Sequence, residues 1–175
     1  MSDIKLVEQI SSFKKVAVGD SRWRLAFYNI AKEFWNMPEH YIVVDRESYE
    51  VGLSLPLMRE YKETVAMQFF SSYSKAQDFV ERQGEDFIVD GKKLIYRLRQ
   101  GAFRQVFAPF LAQQNFNYLI NDPDLHFLDT FERLIAVMEA DSQYIVDDEQ
   151  RKLLQEGDIK AFFVDICEKY LVYVG

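Results

Sequence analysis

HYIVVDRESYEVGLSLPLMREYKETVAMQF, residues 40–69, is the stretch where the apolar period changes, and its reading decides the fold. Tyr41-Ile42-Val43-Val44 is a short β-branched run, Val51-Gly52-Leu53-Ser54-Leu55 alternates strictly up to Pro56, and Thr64-Val65-Ala66-Met67-Gln68-Phe69 alternates again. A period of two places successive side chains on opposite faces of a strand. The charged run Arg59-Glu60-Tyr61-Lys62-Glu63 has the character of a solvated loop. Three short strands in an antiparallel meander are therefore expected.

On the N-terminal side the period is helical. Leu6, Ile10 and Phe13 share a face, Gly19 interrupts, and Asp20 is a natural cap for the next helix. Trp23, Phe27, Ile30 and Phe34 then form a stripe that Tyr28, Ala31 and Trp35 widen, ending at Pro38. A stripe this broad belongs to a helix buried on more than one side.

On the C-terminal side, Ser74 with Gln77 has the form of a capping box ahead of Ala76, Phe79 and Val80, and Gly84 suits the helix end. Phe87-Ile88-Val89 resembles a further strand. Asp90-Gly91 could open a tight hairpin into Lys92–Leu98. Leu94, Leu98, Ala102, Phe103, Val106, Phe107 and Phe110 hold helical spacing better, so a helix from about Lys92 to Gln113 is expected, bent near Gly101 and again at Pro109. Phe116–Ile120 forms a strand closed by the turn Asn121-Asp122-Pro123-Asp124. Asp129 and Glu132 then cap a helix holding Phe131, Leu134, Ile135 and Met138. Two more helices follow, one after Asp147 and one from Ile159 to Tyr170.

The element order lacks regular strand–helix alternation, so the class is α+β. The expected architecture is a mainly antiparallel sheet of about four to six short strands, covered mainly on one face by helices, with a helical C-terminal extension. Residues 1–140 make the domain, and 141–175 form an acidic extension packed on it. A chain of 175 residues with 49% apolar content, 15 Phe and 10 Tyr has ample material for its own core.

Charge narrows the partners. The formal net charge is −7, and an acidic field repels phosphate backbones and anionic membranes, so neither nucleic acid nor membrane is expected as a partner. Cys167 is the single cysteine; it sits in the apolar run Phe162–Cys167 and is expected to be a buried, inert thiol. MSDIKLVEQISSFKK has no apolar signal core, and no stretch is long and apolar enough to span a bilayer. A cytoplasmic protein is expected.

Three constellations could carry chemistry. The segment from Gly91 to Ile120 contains Lys92, Lys93, Arg97, Arg99 and Arg104 and no acid. On a helix, Lys93, Arg97 and Arg104 would share a side, giving an anion site or a docking surface for an acidic partner. The same pattern fits a solvated face, or one neutralised by the C-terminal acids from Asp141 onward. Second, Asn121, Asp122, Asp124 and His126, with Asp129 behind them, could hold a divalent cation or supply an acid–base pair. Yet their spacing matches no cation-binding loop, and turn and cap duties alone account for these residue types. Third, His40 and His126 form no metal-ligand motif. There is no phosphate loop, dinucleotide fingerprint or nucleophile elbow, so no catalytic residue, metal or cofactor is expected.

The run Asp20-Ser21-Arg22-Trp23-Arg24-Leu25-Ala26-Phe27-Tyr28 leading into Tyr41-Ile42-Val43-Val44, the strand end Gln68-Phe69-Phe70-Ser71-Ser72 before the Ala76–Val80 helix, and Asn117-Tyr118-Leu119-Ile120-Asn121-Asp122-Pro123 together resemble the SseB-like (enhanced serine sensitivity) N-terminal domains over roughly residues 10–140. The family's asparagine-proline-glycine turn is here Asn121-Asp122-Pro123-Asp124, and the remaining residues are too few for the second domain of longer members. The resemblance implies a bacterial cytosolic protein without an established catalytic mechanism, and it carries over no catalytic residue.

The resulting expectation is a non-enzymatic binding or regulatory module acting through protein contacts, with a protein partner and Lys93, Arg97 and Arg104 as its contacts. The alternatives are a small metal-assisted hydrolase around Asp122, Asp124 and His126, or an immunity-type protein that neutralises a toxin. Nothing in the sequence sets the oligomeric state.

Overall fold

The stripe from Trp23 to Phe34 winds into α2 (Arg22–Trp35), and Leu6, Ile10 and Phe13 into α1 (Ser2–Lys14) beside it. The computed structural model describes residues 2–15, 22–122 and 125–175, the side chains of 2–4, 61, 121, 122 and 125 excepted. Gly19 and Asp20, read as the break and cap before α2, lie outside the described residues. Leu6, Ile10, Ile30, Ala31 and Phe34 are fully buried.

Along the chain follow β1 (Tyr41–Val43), α3 (Arg46–Glu50), β2 (Met58–Tyr61), β3 (Thr64–Phe69), α4 (Tyr73–Gln83), a 3-10 turn (Gly84–Phe87), β4 (Ile88–Val89), β5 (Lys92–Lys93) and β6 (Ile95–Leu98). A π-helical turn (Phe103–Phe107) then runs into α5 (Ala108–Gln113), followed by β7 (Asn117–Asp122), β8 (Leu125–Thr130), α6 (Phe131–Val137), α7 (Asp148–Gln155), α8 (Ile159–Tyr170) and β9 (Leu171–Tyr173). The class is α+β.

The strands form sheets ordered β1-β6-β9 and β2-β3-β7-β8, with β4-β5 as a small ribbon. All pairings are antiparallel except β3 with β7, which run parallel in the register Ala66↔Asn117 to Phe69↔Ile120. A bridge between Tyr41 and Phe70, with the Phe70 amide donating to the Tyr41 carbonyl at 3.0 Å, joins the two larger sheets.

The expectation of a sheet covered mainly on one face is corrected here. Ile42, Val44, Tyr96 and Leu98 enter the larger core, whereas Val43 and Ile95 enter a second core with Ala76, Phe79 and Val80 of α4 and with Phe70 and Phe87. Burial on both faces explains why Tyr41–Val44 is a continuous apolar run rather than an alternating one. Phe34 occupies the centre of the larger core, stacked on Tyr118 at 4.5 Å and edge-on to Phe69 and Phe103. Aromatic pairs in these geometries add to the stabilisation from area burial alone.

The meander also differs from expectation. Val51–Leu55 is not a strand: Asp45 caps α3, its carboxylate accepting from the Ser48 amide at 2.7 Å, and the chain then turns through Gly52 at φ +79° with Val51 70% exposed. Leu55 still packs against the larger core, but the chain reaches it through a turn rather than as a strand. The strand falls instead on Met58–Tyr61, within the run read as a charged loop. There β2 pairs with β3 from Met58↔Met67 to Tyr61↔Thr64, and Lys62-Glu63 make the turn. As an edge strand, β2 tolerates charge on its open side.

Two helix caps sit beside the residues expected to make them. Ser72, not Ser74, caps α4, and Thr130, not Asp129, caps α6, its hydroxyl accepting from the Arg133 amide at 3.0 Å. The residues from Asp141 onward hold α7 and α8 as expected, with Phe162, Ile166 and Cys167 fully buried in the larger core. Burial pushes the Cys167 thiol well above its ordinary value. β9 was not anticipated; it closes the β1-β6-β9 sheet by pairing Tyr96↔Tyr173, Arg97↔Val172 and Leu98↔Leu171. Among the described residues no helix is long and apolar enough to cross a membrane.

Candidate functional site

The basic segment is a hairpin followed by a helix, not one helix from Lys92 to Gln113. Asp90 at φ +50° and Gly91 at φ +75° form the two-residue turn between Val89 and Lys92. Only a turn of this kind matches the twist of the flanking strands, and the Asp-Gly pair adopts it readily. Past the turn, Ile95, Tyr96 and Leu98 are all buried, because β6 lies between β1 and β9 with a core on each side. Lys93, Arg97 and Arg104 therefore do not share a helical face. The first two stand on strands, and the third lies on the helical segment beyond Gly101.

Their electrostatic settings differ. Lys93 Nζ lies 2.5 Å from Glu81 Oε1 of α4. Arg97 Nε lies 3.7 Å from Glu39 Oε1, and Glu39 also accepts from the Tyr41 hydroxyl. Burial, then that contact with Glu39, pushes the Tyr41 phenol up to about 12. The C-terminal acids are not the neutralising groups. They pair locally instead: Lys169 Nζ meets Asp147 at 2.8 Å and Asp165 at 3.2 Å, and the buried Gln150 donates to Asp165 at 3.0 Å.

Arg104 reaches the end of α2. Its Nε donates to the Trp35 carbonyl at 3.2 Å, its Nη2 donates to Asn36 Oδ1 at 2.8 Å, and its guanidinium lies 5.7 Å from the Trp35 ring centre. The last carbonyls of a helix have no intrahelical donor, and a cation there also opposes the helix dipole. Arg104 is thus a tertiary C-cap for α2. No carboxylate pairs with it among the described residues, so its charge remains uncompensated.

The segment that positions Arg104 is irregular for local reasons. Gly101 at φ +83° turns the chain after Arg99, whose amide donates to the Tyr170 carbonyl at 2.7 Å. The Ala108 amide then bonds Phe103, five residues back. Pro109 has no N–H to offer, and the Gln105 carbonyl accepts instead from the Ile145 amide at 3.0 Å. A widened turn of this type re-aims the side chains on it.

Between this turn and the end of α2 lies a cavity of about 340 Å³. Asn36, Arg99, Gln100, Arg104 and Gln105 supply its polar lining, and Met37, Leu98 and Phe103 are buried apolar residues along it. His40 completes the wall. Its Nε2 is 2.7 Å from the Phe34 carbonyl, which can only accept, so that nitrogen carries the proton. The ring stacks on Phe103 at 3.7 Å. Burial, assisted by the charge of Arg104, lowers the imidazole to about 4 against the opposing bond to Phe34, so it is neutral near pH 7. The lining contains two arginines and no acid.

In the second candidate the β7–β8 hairpin sets Asn121 beside His126 and leaves Asp129 on the other face. Asn121 and Asp122 end β7, with Asn121 opposite His126 and Asp122 opposite Leu125; Asp124 lies outside the described residues. His126 is exposed, whereas Asp129, three residues along β8, is buried beside Tyr118 and Arg133. An odd separation places the two on opposite faces, roughly 10 Å apart along the strand. Burial raises the Asp129 carboxyl above its usual range, against the pull of its backbone bond and of Arg133 at 3.5 Å. Among the described residues no group of three or more His, Cys, Asp or Glu side chains could hold a metal ion.

Of the three cations expected as partner contacts, only Arg104 lines the cavity; His40, expected to have no metal-ligand role, forms part of its wall. Arg99 belonged to the basic run but not to the proposed contacts. Asn36, Gln100 and Gln105 carried no sequence signal, because the lining joins the end of α2 to a turn more than sixty residues later. The chain matches no protein-family model, no curated protein and no solved structure.

Proposed function

We propose that this chain is a binding and regulatory module that acts on another protein and catalyses no reaction of its own, with the Arg99–Arg104 cavity as its point of contact. The observation that carries this reading is the pair of arginines lining a cavity without a carboxylate, in a chain whose net charge is −7. Opposite fields across an interface steer encounter and select partners, so a cationic recess on an acidic body favours an anionic group presented by the partner. A nucleic acid is a poor candidate, since the rest of the surface would repel its backbone.

The cytoplasmic setting and the kinship with SseB-like domains of bacteria belong to the same proposal. Support for the kinship is the order of its motif residues: Gln68–Ser72 leads from β3 into α4, and Asn117–Asp122 forms β7.

Affinity purification of the tagged full chain from its native cell tests the reading. The double reversal Arg99→Glu/Arg104→Glu should lose the co-purifying partner, whereas Lys93→Glu/Arg97→Glu, altering cations already paired with Glu81 and Glu39, should retain it. Loss with the second pair and retention with the first would return the contact to the strand side and remove the cavity from the account.

A further inference from the structure

We propose that the cavity takes an organic carboxylate, its two oxygens on the Arg104 guanidinium and its apolar stem against Met37, Leu98 and Phe103. This rests on the cavity being the chain's binding site, and it names the chemistry of what enters. Arg104 Nε and one Nη2 hydrogen are spent on the Trp35 carbonyl and Asn36 Oδ1. The fork formed by Nη1 and the second Nη2 hydrogen has no protein acceptor among the described residues. A guanidinium fork matches two coplanar oxygens, and one already held by two bonds and a ring loses little freedom when it engages them.

The remainder of the lining favours a carboxylate over a phosphate. A phosphate carries more oxygens to satisfy and gains nothing from the apolar edges of Met37, Leu98 and Phe103 that line part of the recess. His40 adds no third cation, being neutral and donating to Phe34. Arg99, exposed and without an ion-pair partner among the described residues, supplies field at the same cavity. At about 340 Å³ the space lies at the small end of ligand sites. It admits a small organic acid or the last residue or two of a chain, not a segment passing through.

Calorimetric titration of the full chain with four probes decides the matter: hexanoate, acetyl-Leu-Leu with a free C-terminal carboxylate, the same dipeptide as its amide, and inorganic phosphate. A carboxylate probe should bind, with the amide and phosphate at least about tenfold weaker. Hexanoate alone would indicate a small acid as the source, and the peptide acid a chain end. Arg104→Gln should weaken carboxylate binding about tenfold, and Arg99→Gln, at an exposed position that folding does not depend on, about threefold. Binding of phosphate or amide as tight as the acids, binding unchanged in both variants, or no binding by any probe overturns the proposal. If the probes fail while Arg99→Glu/Arg104→Glu still releases the partner, the carboxylate falls and the module reading stands. If the probes bind while the partner stays, the converse holds.

Discussion

Lys93 and Arg97, on the strand side of the basic segment, each meet a glutamate, whereas Arg99 and Arg104, beyond Leu98, meet no carboxylate among the described residues. The difference lies in what the neighbouring elements offer. The strand side is flanked by α4 and by the residues entering β1, which carry Glu81 and Glu39. The helix side abuts the C-terminal end of α2, whose acceptors are a carbonyl and an amide oxygen. These satisfy hydrogen bonds without cancelling charge, so Lys93 and Arg97 are each compensated while Arg99 and Arg104 line a cationic recess. Cations on a sequence become a site only where folding pairs them with dipoles rather than with ions.

Three measurements would break or sharpen that contrast. The largest effect is expected at Phe103, which stacks on His40 and meets Phe34 edge-on along the cavity. Phe103→Ala should cost about 4 kcal/mol in denaturant unfolding, because the cavity left by a buried ring relaxes only in part. A loss below about 1 kcal/mol would mean the helix side is not rigidly packed. His40 comes next. Its folded value of about 4 lies below the ordinary 6.5, so it contributes stability in full above pH 6.5 and loses it as pH falls toward 4. The contribution amounts to about 3 kcal/mol. Urea midpoints from pH 7.5 to 4 should fall less steeply in His40→Gln, which keeps a donor for the Phe34 carbonyl without a titrating ring. Parallel curves for variant and wild type would show that the imidazole is not held neutral by burial. The smallest effect belongs to the strand side, where the pairs are partly solvated. Lys93→Ala and Arg97→Ala should each cost about 0.5 kcal/mol or less, read as the shift in urea midpoint. A cost several times larger would place those cations in the structural framework.

The regular part of the fold was legible in periods and caps. Leu6, Ile10 and Phe13, the Trp23–Phe34 stripe, Ala76–Val80 and Ile159–Tyr170 all form helices, with Tyr28 and Ile159 exposed against expectation, and Thr64–Phe69 and Phe116–Ile120 supply β3 and most of β7. The failures have specific causes. β6 reads as helix because a strand buried on both faces has no alternation to show, while Leu94 and Leu98 happen to stand four apart. The Asp90-Gly91 signal pointed the right way and was outweighed by spacing. β9 is three residues long, too short for any period.

For the candidate site, composition disclosed a run of cations without acids, and nothing more. Whether each charge is cancelled depends on Glu81, Glu39, Trp35 and Asn36, which come from other elements. The sequence by itself determined the α+β class, the acidic balance and the inward stripe of most helices, since period and hydrophobicity act locally along the chain. Tertiary structure alone decided that β1 and β6 are enclosed on both faces and that Arg104 caps α2 beside a recess. Both depend on which distant segments come to lie side by side.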